Sequence, residues 1–358
     1  MKTLAINLAL KAELNLNKNI SLKEEIKLLE LINKNKLAGL IYKNISKTTI
    51  SENLPKVIIE NCKESYRYNQ RIFWQLSQKL DIILSVFNRE KIEVTLIRGL
   101  DLINQAYEDP GLREIGDIDL IIKENDYTNT KKILQDLGFN EFSEKSTVFI
   151  KDEIMIDIHR SCFNLDRLKF RKTTIKNVGF IEKEKEEKTL LDNKYTRYTN
   201  ELQIVISAWH AQKHSYEKLS WFFDIIFLIK NNKINWQKTL IASKTLGLEK
   251  PLYFAIAWIS TNTKNIIPLQ VLKENKAALG KIETFLLGRL LENSFPQGAG
   301  SLLFALNSKN KLTSLMYILE AFFSADEIED GLKIKNVLPY FNLIFKRINM
   351  GLKLLLKK

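Results

Sequence analysis

The chain has 358 residues, with 55 Lys+Arg against 42 Asp+Glu for a formal net charge of +13, and only 6 Pro and 13 Gly. These values exclude a single small domain and a disordered or linker-dominated chain; a helical membrane span is excluded too, since no apolar run reaches about 18 residues. The positive charge does not by itself make a nucleic-acid binder, because Lys, Asn and Ile are abundant throughout and no compact basic run interleaved with aromatics occurs.

Residues 1–90 read as helical. "SLKEEIKLLELINKNKLAGLIYKNI" opens with Ser21 as N-cap and Glu24 three residues on, a capping box, and Ile26, Leu28, Leu29, Leu31 and Ile32 follow at helical spacing. After Pro55 one helix, or two, runs to about residue 90. The texture changes at Lys91. "IEVTLI" is a short β-branched strand ending at Arg98-Gly99, followed by the helix-like "LDLINQAY", the turn-rich loop "EDPGLREIG" and the strand "DIDLII". "NDYTNTKKILQDLGF" predicts a helix with Asn125 as N-cap and Gly138 as its stop. "STVFI" and "IMIDIHR" flank "KDE" as a hairpin, with Met155, Asp157 and His159 on one face of its second strand and Ile154, Ile156 and Ile158 on the other. From about 185 onward the pattern reads as helix again. "ELQIVISAWHAQKHSYEKLSWFFDIIFLIKNN" gives two apolar helices, or one broken near Ser215, and the tail "VLPYFNLIFKRINMGLKLLLKK" is basic and amphipathic. The expected fold class is α+β, with a small mixed β-sheet core over 91–184 between largely helical regions at 1–90 and 185–358.

Asp117 and Asp119 lie on the same face of their strand, and two like charges so close repel unless something positive stands between them. Charge along the chain is uneven in the same place. Residues 99–165 hold 7 Lys+Arg and 14 Asp+Glu, a net of −7, so the flanks together carry +20. An acidic segment in a basic protein draws a metal cation, and the basic surroundings attract a polyphosphate. Asp157, on a later strand able to lie beside the first, completes a set of three carboxylates suited to Mg²⁺, or Mn²⁺ in its place.

The order strand, Gly turn, helix, loop, D-x-D strand and later strand with a third Asp resembles the nucleotidyltransferase superfamily related to DNA polymerase β. More finely, "LIRGLDLINQAY…PGLREIGDIDLII…LGF…IDIHR" is similar to a bacterial family of uncharacterised nucleotidyltransferases, as are "HAQKHSYEKLSWFFDII" and "INWQKTL". The resemblance covers most of the chain and is strongest across 94–160 and 205–240. It implies a metal-dependent transfer of a nucleoside monophosphate from a nucleoside triphosphate to an unknown acceptor, with release of pyrophosphate. Asp117, Asp119 and Asp157 would be catalytic metal ligands, Asp157 also a candidate general base. Gly99 would open the turn where the phosphates sit, and Arg98 and Arg113 would pair with phosphate oxygens. The chain departs from the wider superfamily in one respect: the Ser that follows the turn Gly there is Leu100 here. A non-catalytic module that senses nucleotide or holds a partner on the same fold is the alternative.

Other residues carry two readings each. His159 either contacts a metal-bound water or the nucleotide, or caps its strand; Arg113 either supports the phosphate site or bridges an acid of its own loop. His210 and His214, spaced i, i+4, lack the Glu of a zinc-protease motif, and the resemblance implies that they brace the cleft with Trp221 and Asp224. The tail is a final helix with a solvated face, or a contact for an anionic membrane surface. Two cysteines, Cys62 and Cys162, without a CxxC and with no leader pattern, point to a reducing cytoplasm.

Overall fold

Pro55 fixes the entry to a long helix whose buried positions, Ile58, Cys62, Asn69, Phe73, Leu76 and Leu80 among them, recur at spacings of three, four or seven residues. In the computed structural model, which describes residues 1–10, 20–46, 53–143, 146–165, 174–296, 299–306 and 312, this is one helix, α4 (Lys56–Arg89). It is preceded by α1 (Lys2–Leu10), α2 (Leu22–Lys34) and α3 (Ala38–Ile45). The expected start of α2 is in place, with Glu24 Oε2 accepting from Ser21 N at 3.1 Å and Ser21 Oγ at 2.8 Å.

After α4 come β1 (Val94–Ile97), α5 (Gly99–Ala106), β2 (Asp117–Ile122), α6 (Tyr127–Asp136), β3 (Asn140–Glu141), β4 (Val148–Lys151), β5 (Ile154–His159), β6 (Lys185–Leu190) and β7 (Asn193–Tyr198). Among the described residues the strands form one mixed sheet in the order β3-β4-β5-β2-β1-β7-β6. The middle strands are buried on both faces, as their unbroken "VTLI" and "DIDLII" runs require. β2 runs antiparallel to β1 and parallel to β5, and the register sets Asp119 opposite Asp157. The expected "KDE" hairpin joins β4 to β5, with Asp152 and Glu153 both at positive φ. A 3₁₀ turn at Glu124–Asp126 takes up Asn125, so α6 starts after Asp126, and Gly138 ends it at φ +85°.

One stretch read as the return to helix is sheet instead: 185–198 forms the β6–β7 hairpin, and β7 joins β1 in parallel through Thr95 and Thr196. Its charged, alternating sequence places Tyr195 and Arg197 inside and Lys194 in solvent.

The helices that follow are α7 (Asn200–Lys213), α8 (Ser220–Asn231), α9 (Trp236–Leu246), α10 (Glu249–Asn262), α11 (Leu269–Glu274), α12 (Lys281–Leu291) and α13 (Ala299–Leu306). The break between α7 and α8 falls at Ser215 and Tyr216, both at positive φ. No helix among the described residues is long and apolar enough to cross a membrane. The basic tail at 337–358 lies outside the described residues.

The loop between α5 and β2 is clamped from the N-terminal helices, which fixes the approach to β2. Asp109 accepts from Lys43 Nζ at 2.8 Å and Tyr66 Oη at 2.5 Å, and Asn69 Nδ2 donates to the Gly111 carbonyl at 3.0 Å. α3 reaches this loop because Gly39 has no side chain; a Cβ there would stand 2.0 Å from the Gly111 carbonyl oxygen. Gly39→Ala is therefore expected to destabilise the chain by about 1–3 kcal/mol, read as a lower thermal midpoint, since backbone must move to relieve the clash.

Candidate active site

The site grows from three strand ends. β1 delivers Arg98, β2 delivers Asp117 and Asp119, and β5 delivers Asp157 and His159. Because β2 and β5 are parallel and in register, the Asp119 and Asp157 side chains leave the same rung on the same face, with Asp117 one step toward the strand start and His159 one step further into the sheet. Asp119 is buried and Asp157 half-buried.

Arg98 holds an unusual backbone. It sits at φ +59°, ψ −129°, between β1 and α5, so the left-handed conformation at this turn falls on Arg98 and the residue after it is the glycine. Such geometry costs on the order of 1–3 kcal/mol in a residue with a Cβ and persists where the surroundings enforce it. Here it aims the guanidinium back over the acids: Nη1 donates to Asp119 Oδ1 at 2.7 Å and lies 3.2 Å from His159 Nε2. Gly99 has its own steric reason, since a Cβ there would press on Ile115 at 3.1 Å and approach Arg113 Nη1 at 3.4 Å.

His159 is buried, with Nε2 2.7 Å from Asp119 Oδ1 and 3.3 Å from Asp157 Oδ2. Thr147, just before β4, donates its hydroxyl to the other Asp157 oxygen at 2.6 Å. Burial alone pushes the Asp119 carboxyl up, but the Arg98 charge and the His159 hydrogen bond outweigh it and hold this acid below the usual carboxylate range. Asp117 is the opposite case. Burial, and next the Asp119 charge, push it up to about 6, although Arg98 and Arg113 pull it back. Asp119, Asp157 and His159 each offer one ligand atom, all within 4.8 Å of one another, and they are the group among the described residues able to hold a metal ion. Two carboxylate oxygens and an imidazole nitrogen form a donor set that fits a divalent cation. Asp117 lies outside that trio, coupled to it by charge.

Arg113 is engaged elsewhere. Its Nε and Nη2 donate to the two oxygens of buried Asp224 on α8 at 2.7 and 3.0 Å, and Tyr107 Oη donates to the same Asp224 Oδ1 at 2.7 Å. The partner acid thus lies 111 residues away, and not in the Arg113 loop. Only Nη1 is left outside the fork, 3.3 Å from the Glu114 carbonyl. Arg113→Lys is expected to cost about 2 kcal/mol in denaturant unfolding, because an ammonium cannot reproduce the two-pronged contact and leaves an Asp224 oxygen short of a donor.

His210 and His214 on α7 and Trp221 on α8 form a ring cluster, with centroids 4.7 Å apart for the two imidazoles and 5.3 and 5.4 Å from each to the indole. Burial holds the His210 imidazole well below its ordinary pKa, so it is neutral. His210, Trp221 and Asp224 line a cavity of about 30 Å³ together with Arg98 and Arg113. Both cysteine thiols are free, buried and pushed by burial up to about 12, so neither is a nucleophile. Leu100, the residue after the turn glycine Gly99, is buried in the core.

Thr147 and Tyr107 escaped the sequence reading. Tyr107 ends the "LINQAY" helix and meets Asp224 across 117 residues, and Thr147 meets Asp157 through the pairing of β4 with β5.

The family model described as uncharacterised nucleotidyltransferase matches residues 23–262. Among solved structures, the crystal structure of an antigenic nucleotidyltransferase-like protein from Paracoccidioides brasiliensis is similar, with 13% identity and a TM-score of 0.39 over 55% of this chain and 92% of that one. No curated protein matches the chain.

Proposed function

Because the chain belongs to the family of uncharacterised nucleotidyltransferases, we propose that it moves a nucleoside monophosphate from a nucleoside triphosphate to an acceptor hydroxyl, on a fold of the DNA polymerase β-like superfamily. The observation that carries this reading is the facing pair Asp119 and Asp157 on one rung of the sheet, with a third acid, Asp117, on the same face. A divalent cation, Mg²⁺ or Mn²⁺, held by the facing carboxylates of Asp119 and Asp157, with Asp117 at its outer side, would neutralise charge that develops on the phosphoryl oxygens.

The chain's own groups supply the rest. The acceptor oxygen forms a bond to the α-phosphorus as the bond from that phosphorus to the pyrophosphate oxygen breaks, and the hydroxyl proton passes to Asp157. Thr147 holds the Asp157 carboxylate in orientation for that step. Arg98, when it releases Asp119, turns its guanidinium to the phosphates, and the Arg113–Asp224–Tyr107 cluster keeps the loop before β2 in place. We place the enzyme in the cytoplasm, where the buried thiols of Cys62 and Cys162 stay reduced.

Calorimetry with ATP, GTP, CTP and UTP, with and without Mg²⁺, tests the reading. Binding that requires the metal, followed by pyrophosphate release in the presence of cell extract, is the expected result. The buried Leu100 favours a second reading, because it removes a hydroxyl that elsewhere holds phosphate: a nucleotide sensor without transfer. That reading predicts binding without pyrophosphate release.

A further inference from the structure

Resting on that reading, we infer that His159 is a ligand of the bound cation, and that the inner half of the site consequently takes a divalent ion with affinity for nitrogen, Mn²⁺ ahead of Mg²⁺.

The register places His159 at the inner side of the facing carboxylates and Asp117 at the outer side. The side chain of His159 is almost fully enclosed, with 3% of its area exposed, so its ring cannot swing away from the acids into solvent. Its Nε2 stands 2.7 and 3.3 Å from the nearest oxygens of Asp119 and Asp157. Adjacent ligand atoms around an octahedral ion with bonds of about 2.1 Å lie roughly 3 Å apart, and the two observed separations bracket that value. A second observation marks the same spot as a cation seat: Arg98 Nη1 is already there, 2.7 Å from the Asp119 oxygen and 3.2 Å from the same imidazole nitrogen. The ion would displace this guanidinium, and Nε2 would turn its lone pair to the ion with the ring proton on Nδ1.

The donor set decides which ion. Mg²⁺ prefers oxygen and keeps its waters, whereas imidazole nitrogen suits the first-row transition ions. A site of three carboxylates would discriminate weakly between Mg²⁺ and Mn²⁺; replacing one oxygen by His159 Nε2 tilts it toward Mn²⁺.

The test uses the full chain loaded with Mn²⁺ and pulsed electron paramagnetic resonance, which detects a nitrogen bonded to the ion without any turnover. The expected result is a ¹⁴N modulation that changes to the ¹⁵N pattern when the protein is grown with [¹⁵N]histidine, and that disappears in His159→Gln but survives in His210→Gln. Competition should show Mn²⁺ binding about tenfold or more tighter than Mg²⁺ in the wild type, narrowing to within about threefold in His159→Gln. Isotope labelling needs no substitution, so the assignment of a histidine ligand stands even where a variant fails to fold. Mn²⁺ that binds and is lost in Asp119→Asn, yet shows no histidine nitrogen, overturns the inference and leaves the transferase reading intact. Mn²⁺ that fails to bind in an Asp119-dependent manner overturns both.

Discussion

Asp119→Asn is expected to lower nucleotidyl transfer by about 10³-fold or more while shifting the thermal midpoint by only a few degrees. The two readouts separate because the asparagine keeps the shape and one acceptor oxygen. Arg98 Nη1, now 2.7 Å from Asp119 Oδ1, still finds a carbonyl there, although the bond loses its charge assistance and with it about 1–2 kcal/mol. A bound cation would lose more. Asp119 is the acid closest to both His159 and Arg98, and the environment keeps it ionised more strongly than Asp117, whose carboxyl is pushed up to about 6. Removing its charge leaves Arg98 unopposed at the place where a divalent ion would enter. Pyrophosphate release and Mn²⁺ binding, measured on the same preparation, check the prediction. A rate within tenfold of wild type would take Asp119 out of the chemistry; a wild type that binds nucleotide and releases no pyrophosphate would leave the sensor reading in its place.

What could be read in advance follows from how local the signal is. The D-x-D strand, the strand carrying Asp157, the hairpin at Asp152-Glu153 and the break at Ser215 are each announced by residues within a few positions of one another, through alternation and turn chemistry. The features that escaped depend on pairing between separate elements. Arg113 meets Asp224 over 111 residues, and Thr147 meets Asp157 only because β4 and β5 pair with a particular register. His159 was visible as a neighbour of Asp157 on one strand face; its 2.7 Å approach to Asp119 depends on β5 lying parallel to β2 with no shift in register. The unusual φ at Arg98 was hidden by the glycine that follows it, since glycine is the expected holder of that conformation.

The β6–β7 hairpin failed for a different reason. "KEEKTLLDNKYTRY" alternates, but its inward positions include Arg197, and a hydropathy pattern has no means to mark an arginine as interior. The helix expected from about 185 takes no account of that interior face. Arg197 is nonetheless completely buried, and so is its partner Asp101 on α5.

That pair carries the second large effect. Arg197→Met is expected to destabilise the chain by about 3–5 kcal/mol, because the variant leaves the Asp101 carboxylate buried without a counter-charge. Arg197 donates from Nε to Asp101 Oδ1 at 2.8 Å, from Nη1 to Glu186 at 2.5 Å and from Nη2 to Asn200 Oδ1 at 2.9 Å, while Asp101 Oδ2 has no hydrogen-bond partner among the described residues. Burial raises Asp101 to about 6, more than Arg197 draws it down. An acid raised above its unfolded value binds its proton more firmly when folded, so this group's stabilising share is present below about pH 4 and is lost as pH rises to about 6. Asp101→Asn, which mimics the neutral acid, should therefore flatten that slope and sit within about 1 kcal/mol of wild type at neutral pH. Asp101→Leu combined with Arg197→Met should recover most of the single-variant loss, since Glu186 is part-exposed and can be solvated. Urea unfolding of the three variants across pH 4 to 7 checks the scheme. The consequence reaches the candidate site, because α5 begins at Gly99 and this ion pair, beside the Gln105–Tyr195 contact, anchors it to β7: on the transferase reading Arg197→Met should also weaken triphosphate binding by freeing the turn that aims Arg98. An Arg197→Met chain as stable as wild type would mean that the charge is solvated and that this ion pair does not hold α5 to β7.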